Sequence, residues 1–283
     1  MNNYWRADLH IHSTASDGSK PANELITDAV AAGLDVIAIT DHDTLDGLFA
    51  INYSNNIKVI NGIELSIDVP KNEVHILGLG IDPHHSSWSD GDLITNLKNA
   101  RVNRIGEMCK RLTHIGYPLA AAEVFRRVPA TTTIGRRHIA EALLEKQLIP
   151  SITFAFQKLI GVTNPAYVKR YKLTIEQAVA VIIKAGGTPI MAHPALCFDD
   201  RVVITAIESG IRGLEAYYPK HSKAQTEQYL SLCKKYNLVY SGGSDCHGKS
   251  DRYPGALGEF YCRMPRDMME RLMDNGEKLK VKS

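Results

Sequence analysis

Three groups able to hold a metal ion crowd into "DLHIHSTASDG", residues 8–18: His10, His12 and Asp17. Further along stand Asp41 and His42 in "ITDHDT", Glu64 in "GIELS", His75 in "EVHILGLG", His193 in "IMAHP", and Asp245 and His247 in "SGGSDCHG". A core has little use for such residues, because a buried imidazole whose nitrogens lack hydrogen bonds costs stability. A lone His-x-His is weak evidence, and each histidine taken singly reads as well as a separately satisfied residue. The set reads differently. Its donors are nitrogen and oxygen without thiolate, which suits Zn²⁺, Mn²⁺ or Fe²⁺ rather than Ca²⁺ or an iron–sulfur centre. His10, His12, Asp17, His42, Glu64, His75, His193, Asp245 and His247 make nine potential ligands. Zinc usually takes about four, so two or three divalent ions are implied. Glu64 is the natural bridge, since a carboxylate can offer one oxygen to each of two ions.

These side chains meet only if the chain brings them together. Short runs rich in Val and Ile and bounded by Gly, Asp or Asn predict strands: "YWRADLH", "LDVIAIT", "IKVINGIE", "EVHILGLG", "TPIMAHP", "IRGLEAYY" and "LVYSGGSD". Helical patterns lie between several of them. "PANELITDAVAAG" opens on a helix-compatible proline, "TIEQAVAVIIKAGG" starts from the capping candidate Thr174 and stops at Gly186, and "SKAQTEQYLSLCKKYN" carries lysines near its end. Strand–helix alternation of this kind predicts an α/β fold, a parallel barrel or a doubly wound sheet. In such folds catalytic groups gather at the carboxyl ends of the strands, and that is where the marked residues fall, with His75 inside its strand. Residues 100–165 break the rhythm with four helical patterns, "ARVNRIGEMCKRLTHIGY", "AAAEVFRRV", "RRHIAEALLEK" and "SITFAFQKLIG". The expected organisation is therefore a barrel in two parts, residues 1–99 and 166–283, around a helical insertion at 100–165.

The 283 residues, 44% hydrophobic and 23% charged, suffice for one large core or a core plus a small second domain. A formal net charge of +2 argues against a partner as long and as acidic as a nucleic-acid duplex. No apolar signal region or membrane-spanning run stands out, so no membrane partner is expected. Cys109, Cys197, Cys233, Cys246 and Cys262 show no paired spacing and read as reduced thiols of a cytoplasmic protein.

The ordered motifs "DLHIHSTASDG", "ITDHDT", "GIE", "HILG", "AHP" and "GSDCHG" resemble those of the PHP (polymerase and histidinol phosphatase) family, and most of all its stand-alone metal-dependent phosphoesterases. The likeness runs from residue 8 to about 80 and from 186 to 258. It implies a distorted seven-stranded (βα) barrel with a trinuclear site. The first ion would take His10, His12, Glu64 and Asp245, the second Glu64, His75 and His193, and the third Asp17, His42 and His247. "TIGRRHIAEAL" is similar to the family's Gly-Arg-Pro-His segment, with Arg137 in place of proline. The resemblance makes Arg136 and His138 the residues that grip a substrate phosphate; without it Arg136 and Arg137 read as solvated helix-end charges. Lys169 is a weaker phosphate contact, and His221 in "YYPKHS" a substrate contact, a proton donor or a plain surface histidine. Glu64 and Asp245, with His221, are the candidate catalytic residues. Asp41 or Asp43 is expected to orient the imidazoles, Asp41 foremost because it lies directly before His42.

Clustered divalent ions favour hydrolysis of a phosphate ester, by a hydroxide held between two ions roughly 3.5–4 Å apart. The resemblance implies nucleotides: removal of the 3′-phosphate from nucleoside 3′,5′-bisphosphates, or 5′-3′ trimming of short 5′-phosphorylated RNA. Rival readings are a histidinol-phosphate phosphatase, an amidohydrolase-type barrel (which usually carries a bridging lysine) and a metal-loaded module without catalysis.

Overall fold

The computed structural model describes residues 3–52, 56–69, 72–129, 132–169, 173–197, 199–248 and 257–273. All seven expected strands form: β1 (Tyr4–Ile11), β2 (Val36–Ile39), β3 (Lys58–Val69), β4 (Asn72–Leu79), β5 (Thr188–Met191), β6 (Gly213–Tyr217) and β7 (Val239–Gly242). An eighth, β8 (Cys262–Pro265), pairs antiparallel with residues 4–7 of β1 and was not foreseen. The order in the sheet is β7-β6-β5-β4-β3-β2-β1-β8. The sheet is rolled almost into a barrel. Beyond the end of β7, Asp245 donates its N–H to the His10 carbonyl (2.8 Å) and His12 donates to the Cys246 carbonyl (3.0 Å), which closes the seam at the mouth.

The sheet is not wholly parallel. β4 runs antiparallel to both β3 and β5, because only residues 70–71 separate β3 from β4, far too few for a crossover helix. That reversal puts the first half of β4 at the mouth, and it explains why His75 reaches the site from inside its strand. A second irregularity lies in β1. Asp8 is opposite Ile37 and Ile11 opposite Ile39, so β1 carries one residue more than β2 between those pairs. Such a bulge changes which face successive side chains take. Ala7 and Leu9 pack with Val36, Ala38 and Ile60 in one apolar cluster, whereas Ile11 joins Ile37 and Ile39 in another. His10 and His12, on either side of Ile11, turn to the mouth.

Helices α1 (Ala22–Ala31), α2 (Asp46–Phe49), α7 (Ile175–Lys184), α8 (Asp200–Glu208), α9 (Lys223–Lys235) and α10 (Arg266–Met273) complete the barrel part. Thr174 caps α7 as its sequence suggests: its hydroxyl accepts the Gln177 N–H and its own N–H donates to Gln177 Oε1. Gly186, with φ 78°, ends the same helix. The short α2, α8 and α10 were not anticipated. Between β4 and α7 lie α3 (Leu93–His114), α4 (Ala121–Phe125), α5 (Arg136–Glu145) and α6 (Ile152–Lys158). They share an apolar cluster of their own, including Ile105, Met108, Leu112, Ile139, Leu143 and Ile160. α3 begins at Leu93 and runs through residue 100, where the insertion was expected to start. Among the described residues no helix is long and apolar enough to cross a membrane.

Candidate metal centre

Strand pairing carries the proposed ligands to one place. His42 and Glu64 form a parallel bridge just past β2, with the Glu64 N–H on the Asp41 carbonyl (3.1 Å) and the Asp43 N–H on the Glu64 carbonyl (3.0 Å). β7 approaches β1 so closely that a Cβ on Gly243 would collide with the His10 backbone. His193 and Asp245, at φ 28° and 55°, hold left-handed backbone that side chains rarely adopt. Such conformations cost of order 1–3 kcal/mol each and collect at functional sites.

Glu64 stands at the centre. Its Oε2 lies 3.3 Å from His10 Nε2, 3.2 Å from His12 Nε2 and 3.0 Å from His42 Nδ1; its Oε1 lies 2.8 Å from His75 Nδ1 and 3.2 Å from His193 Nε2. Asp245 Oδ1 is 3.2 Å from His12 Nε2 and 3.5 Å from His10 Nε2. Asp17 Oδ1 is 3.1 Å from His247 Nε2 and 3.9 Å from His12 Nδ1. All nine side chains join four overlapping groups of close donor atoms: His12, Asp17, His42 and His247; His10, His12 and Asp245; His10, Glu64 and His193; His42, Glu64 and His75. His12 thus borders the group expected for a third ion as well as the first.

The donor set fits divalent cations on its own chemistry. Buried His10 Nε2, both nitrogens of His12, His42 Nδ1, Glu64 Oε2 and Asp17 Oδ1 find no well-formed hydrogen bond despite this proximity. Left so, each costs stability; divalent cations would satisfy the carboxylate oxygens and one nitrogen of each ring, the other nitrogen keeping its proton. Electrostatics agree. Burial disfavours the charged forms of Glu64, Asp17 and Asp245, yet the imidazoles around them hold all three well below the usual carboxylate range. Burial also opposes the His12 imidazolium, but the Asp245 and Glu64 carboxylates outweigh it and push the ring up to about 10. For His42 burial prevails and the ring drops to about 4.

The groups that aim these rings differ in part from expectation. Glu215, in the middle of β6 and buried, accepts from His10 Nδ1 (3.1 Å) and from the His193 N–H (2.7 Å). It holds the His10 proton on Nδ1 and turns Nε2 to the cluster. Glu215 was not expected, because it stands within its strand rather than after it; a carboxylate inside the apolar run "GLEAY" was the available signal. Asp41 orients no imidazole. It accepts from Ser13 N (2.8 Å), Ser13 Oγ (2.6 Å) and Ser16 Oγ (2.5 Å), because its side chain faces the 13–16 turn and so sets the loop that carries Asp17. Tyr218, also unforeseen, donates its hydroxyl to Asp245 Oδ2 (3.0 Å).

The expected substrate contacts lie on two sides. Arg136, at the start of α5, is half-buried with Nη1 3.4 Å from the Ile160 carbonyl and its guanidinium carbon 5.6 Å from the Phe156 ring centre. His138 is buried and accepts the Gly135 N–H on Nδ1 (3.0 Å); burial lowers its pKa, so the ring is neutral with its proton on Nε2. Gly135 faces the metal side: a Cβ there would lie 3.7 Å from Asp17 Oδ2. Arg137 is buried and pairs with Glu141 (2.8 Å), so it is not a solvated helix-end charge. Lys169 is exposed, next to Val168, whose carbonyl accepts from Arg104 Nε (2.7 Å). His221 donates from Nδ1 to the Ala216 carbonyl (3.0 Å), packs between the Tyr218 and Tyr229 rings (5.1 Å to each) and lies near enough to His193 for the two rings to interact electrostatically.

Comparison with known proteins points to one family and one fold. The PHP domain matches residues 8–184. A 3′,5′-nucleoside bisphosphate phosphatase from Chromobacterium violaceum is 29% identical over 86% of this chain and 88% of its own length. A phosphoribosyl 1,2-cyclic phosphate 1,2-diphosphodiesterase from Eggerthella lenta is 30% identical over 87% and 96% respectively. A 5′-3′ exoribonuclease from Escherichia coli is 30% identical over 85% and 84%. A crystal structure from Bifidobacterium adolescentis, provisionally assigned as a metal-dependent phosphoesterase, superposes with a TM-score of 0.84 at 27% identity, over 95% of this chain and 96% of that one.

Proposed function

The chain belongs to the PHP domain family, and we propose that it is a metal-dependent phosphoesterase whose substrates are nucleotides, foremost nucleoside 3′,5′-bisphosphates cleaved at the 3′-phosphate. One observation carries this reading: the first turn of α5 lies beside the buried donor cluster, with a Cβ on Gly135 3.7 Å from Asp17 Oδ2 and the Asp17 charge acting on the His138 ring. A bisphosphate needs two such places, one for the reacting phosphate and one for the other.

His10, His12, Glu64 and Asp245 would hold one divalent ion, Glu64 with His75 and His193 a second, and Asp17, His42 and His247 a third; Mn²⁺, Zn²⁺ and Fe²⁺ all suit these donors. Bound there, such ions supply Lewis acidity to the phosphoryl oxygens and make water a nucleophile at neutral pH. The rest falls to the chain. Arg136 presents a planar fork to the distal phosphate, which a lysine does not reproduce. His138, neutral with its proton on Nε2, donates one hydrogen bond to a phosphate oxygen. Lys169 adds charge at the rim of the helical segment, residues 100–165, which serves as a cap over the mouth. His221 stays neutral because burial lowers its pKa, and its Nε2 accepts from the substrate or from a water beside it. Glu215 and Tyr218 keep His10 and Asp245 in place.

Short 5′-phosphorylated RNA is the second reading, favoured by the likeness to an exoribonuclease. The near-neutral charge of +2 speaks for small or short substrates over long nucleic acid. The five unpaired, buried cysteines suit the cytoplasm. The deciding experiment is phosphate release from adenosine 3′,5′-bisphosphate, 5′-phosphorylated short RNA, phosphoribosyl 1,2-cyclic phosphate and histidinol phosphate, with Mn²⁺ and with Zn²⁺. The bisphosphate should be turned over fastest. Turnover of histidinol phosphate alone would overturn the proposal.

A further inference from the structure

Arg101 lies on α3 and is 7% exposed, an unusual depth for an arginine. Its three donor nitrogens reach three separate stretches of chain. Nε donates to Asp43 Oδ2 (2.7 Å), Nη2 to Ser66 Oγ (3.1 Å) and Nη1 to the Ile134 carbonyl (3.3 Å). Asp43 follows His42 directly, takes a left-handed φ of 53° and accepts the Ser66 N–H on Oδ1 (2.9 Å). Ser66 is two residues beyond Glu64 on β3, and Ile134 leads into Gly135 and α5. The stretch before α5 is also stitched to the loop of Asp17: the Thr133 N–H donates to the Ala15 carbonyl (2.8 Å) and Thr132 Oγ1 to the Thr14 carbonyl (3.0 Å).

A buried ion pair is a poor way to gain stability, because desolvating both charges offsets most of their attraction and apolar residues of similar volume do as well. What a guanidinium offers that apolar packing does not is direction: a rigid planar fork with fixed angles between its donors. Here the fork spans the turn that aims His42, the strand that carries Glu64 and the segment that delivers Arg136 and His138.

We propose that Arg101 is a positioning residue that locks the metal-holding turns of the barrel to the phosphate-gripping end of the cap. The proposal rests on the phosphoesterase reading and extends it from the ligands to what keeps them in register. Losing the fork frees the His42 turn and the start of α5 together, so metal retention and capture of the distal phosphate weaken in the same variant. A residue that merely packs would lower thermal stability and leave both unchanged.

The test uses the full-length, Zn²⁺-loaded protein with Arg101→Lys, which keeps the charge without the fork. A second variant, Arg101→Met with Asp43→Asn, removes both charges so that no unpaired ion is left buried. Two quantities are read at a temperature where all proteins are folded: the EDTA concentration that strips half the Zn²⁺, and KM for adenosine 3′,5′-bisphosphate beside that for p-nitrophenyl phosphate. Both variants should lose Zn²⁺ at least tenfold more readily. Their bisphosphate KM should rise about tenfold or more while the aryl phosphate KM stays within about twofold. An unchanged EDTA midpoint or an unchanged bisphosphate KM in both variants overturns the proposal. If the wild-type protein hydrolyses neither ester, the phosphoesterase reading falls instead, and the EDTA midpoint alone judges Arg101.

Discussion

Replacing Glu215 by glutamine tests whether a side chain that ligates nothing controls the metal centre. Its two carboxylate oxygens take two buried donors, His10 Nδ1–H and the His193 N–H. Glutamine fits the same space but offers one acceptor oxygen, so one donor faces an amide NH₂ instead. Leaving a buried donor unmet costs about 1–3 kcal/mol. Partners that orient metal-bound imidazoles are worth about 10–100-fold in affinity, or about 1.4–2.8 kcal/mol at 1.4 kcal/mol per decade. The two ranges coincide, as they should if the same hydrogen bonds are responsible. Glu215→Gln is therefore expected to shift the chelator midpoint for Zn²⁺ by one to two decades. It should also lower the Tm of the metal-free protein by several degrees, at about 2–4 °C per kcal/mol. Competition with a graded series of chelators, followed by elemental analysis, measures the first, and scanning calorimetry the second. A variant that keeps its Zn²⁺ within threefold of wild type, with the same Tm, would refute the role drawn for Glu215.

Three further outcomes are expected. Arg136→Ala should damage hydrolysis of a nucleoside bisphosphate at least tenfold more than that of an aryl phosphate; equal losses, measured as kcat/KM, would remove Arg136 from recognition of the distal phosphate. Because His12 is pushed up to about 10, it carries a proton near pH 7.5 that a cation must displace, whereas His42, at about 4, is already neutral there. Divalent ions should accordingly release protons on binding at pH 7.5 and bind more tightly as pH rises toward 10, and calorimetry in buffers of different ionisation enthalpy would show no proton release if this is wrong. Burial pushes the Cys233 and Cys262 thiols up to about 12, Cys109 up to about 11, and Cys197 and Cys246 upward. The native protein should therefore resist iodoacetamide at pH 8, and rapid labelling read by mass spectrometry would contradict the placement of these side chains.

The amino-acid sequence by itself determined the donor types, the seven strands and the position of most donors just beyond them. These are local matters, since apolar runs, turn residues and the caps of α7 act over a few residues. It did not determine that β4 would run backwards, that β1 would carry an extra residue between Asp8 and Ile11, or that β8 would join β1. Of the polar residues that hold the donors in place it pointed only to Asp41 and Asp43. Asp41 stands next to His42 in the chain, yet it bonds Ser13 and Ser16. Glu215, which aims His10 from 205 residues away, follows no local rule. Arg101 looks like any helix arginine until Asp43, Ser66 and Ile134 surround it. Only closure of the sheet decided these pairings, because a hydrogen bond has a reach of about 3 Å in space and no fixed reach along the chain.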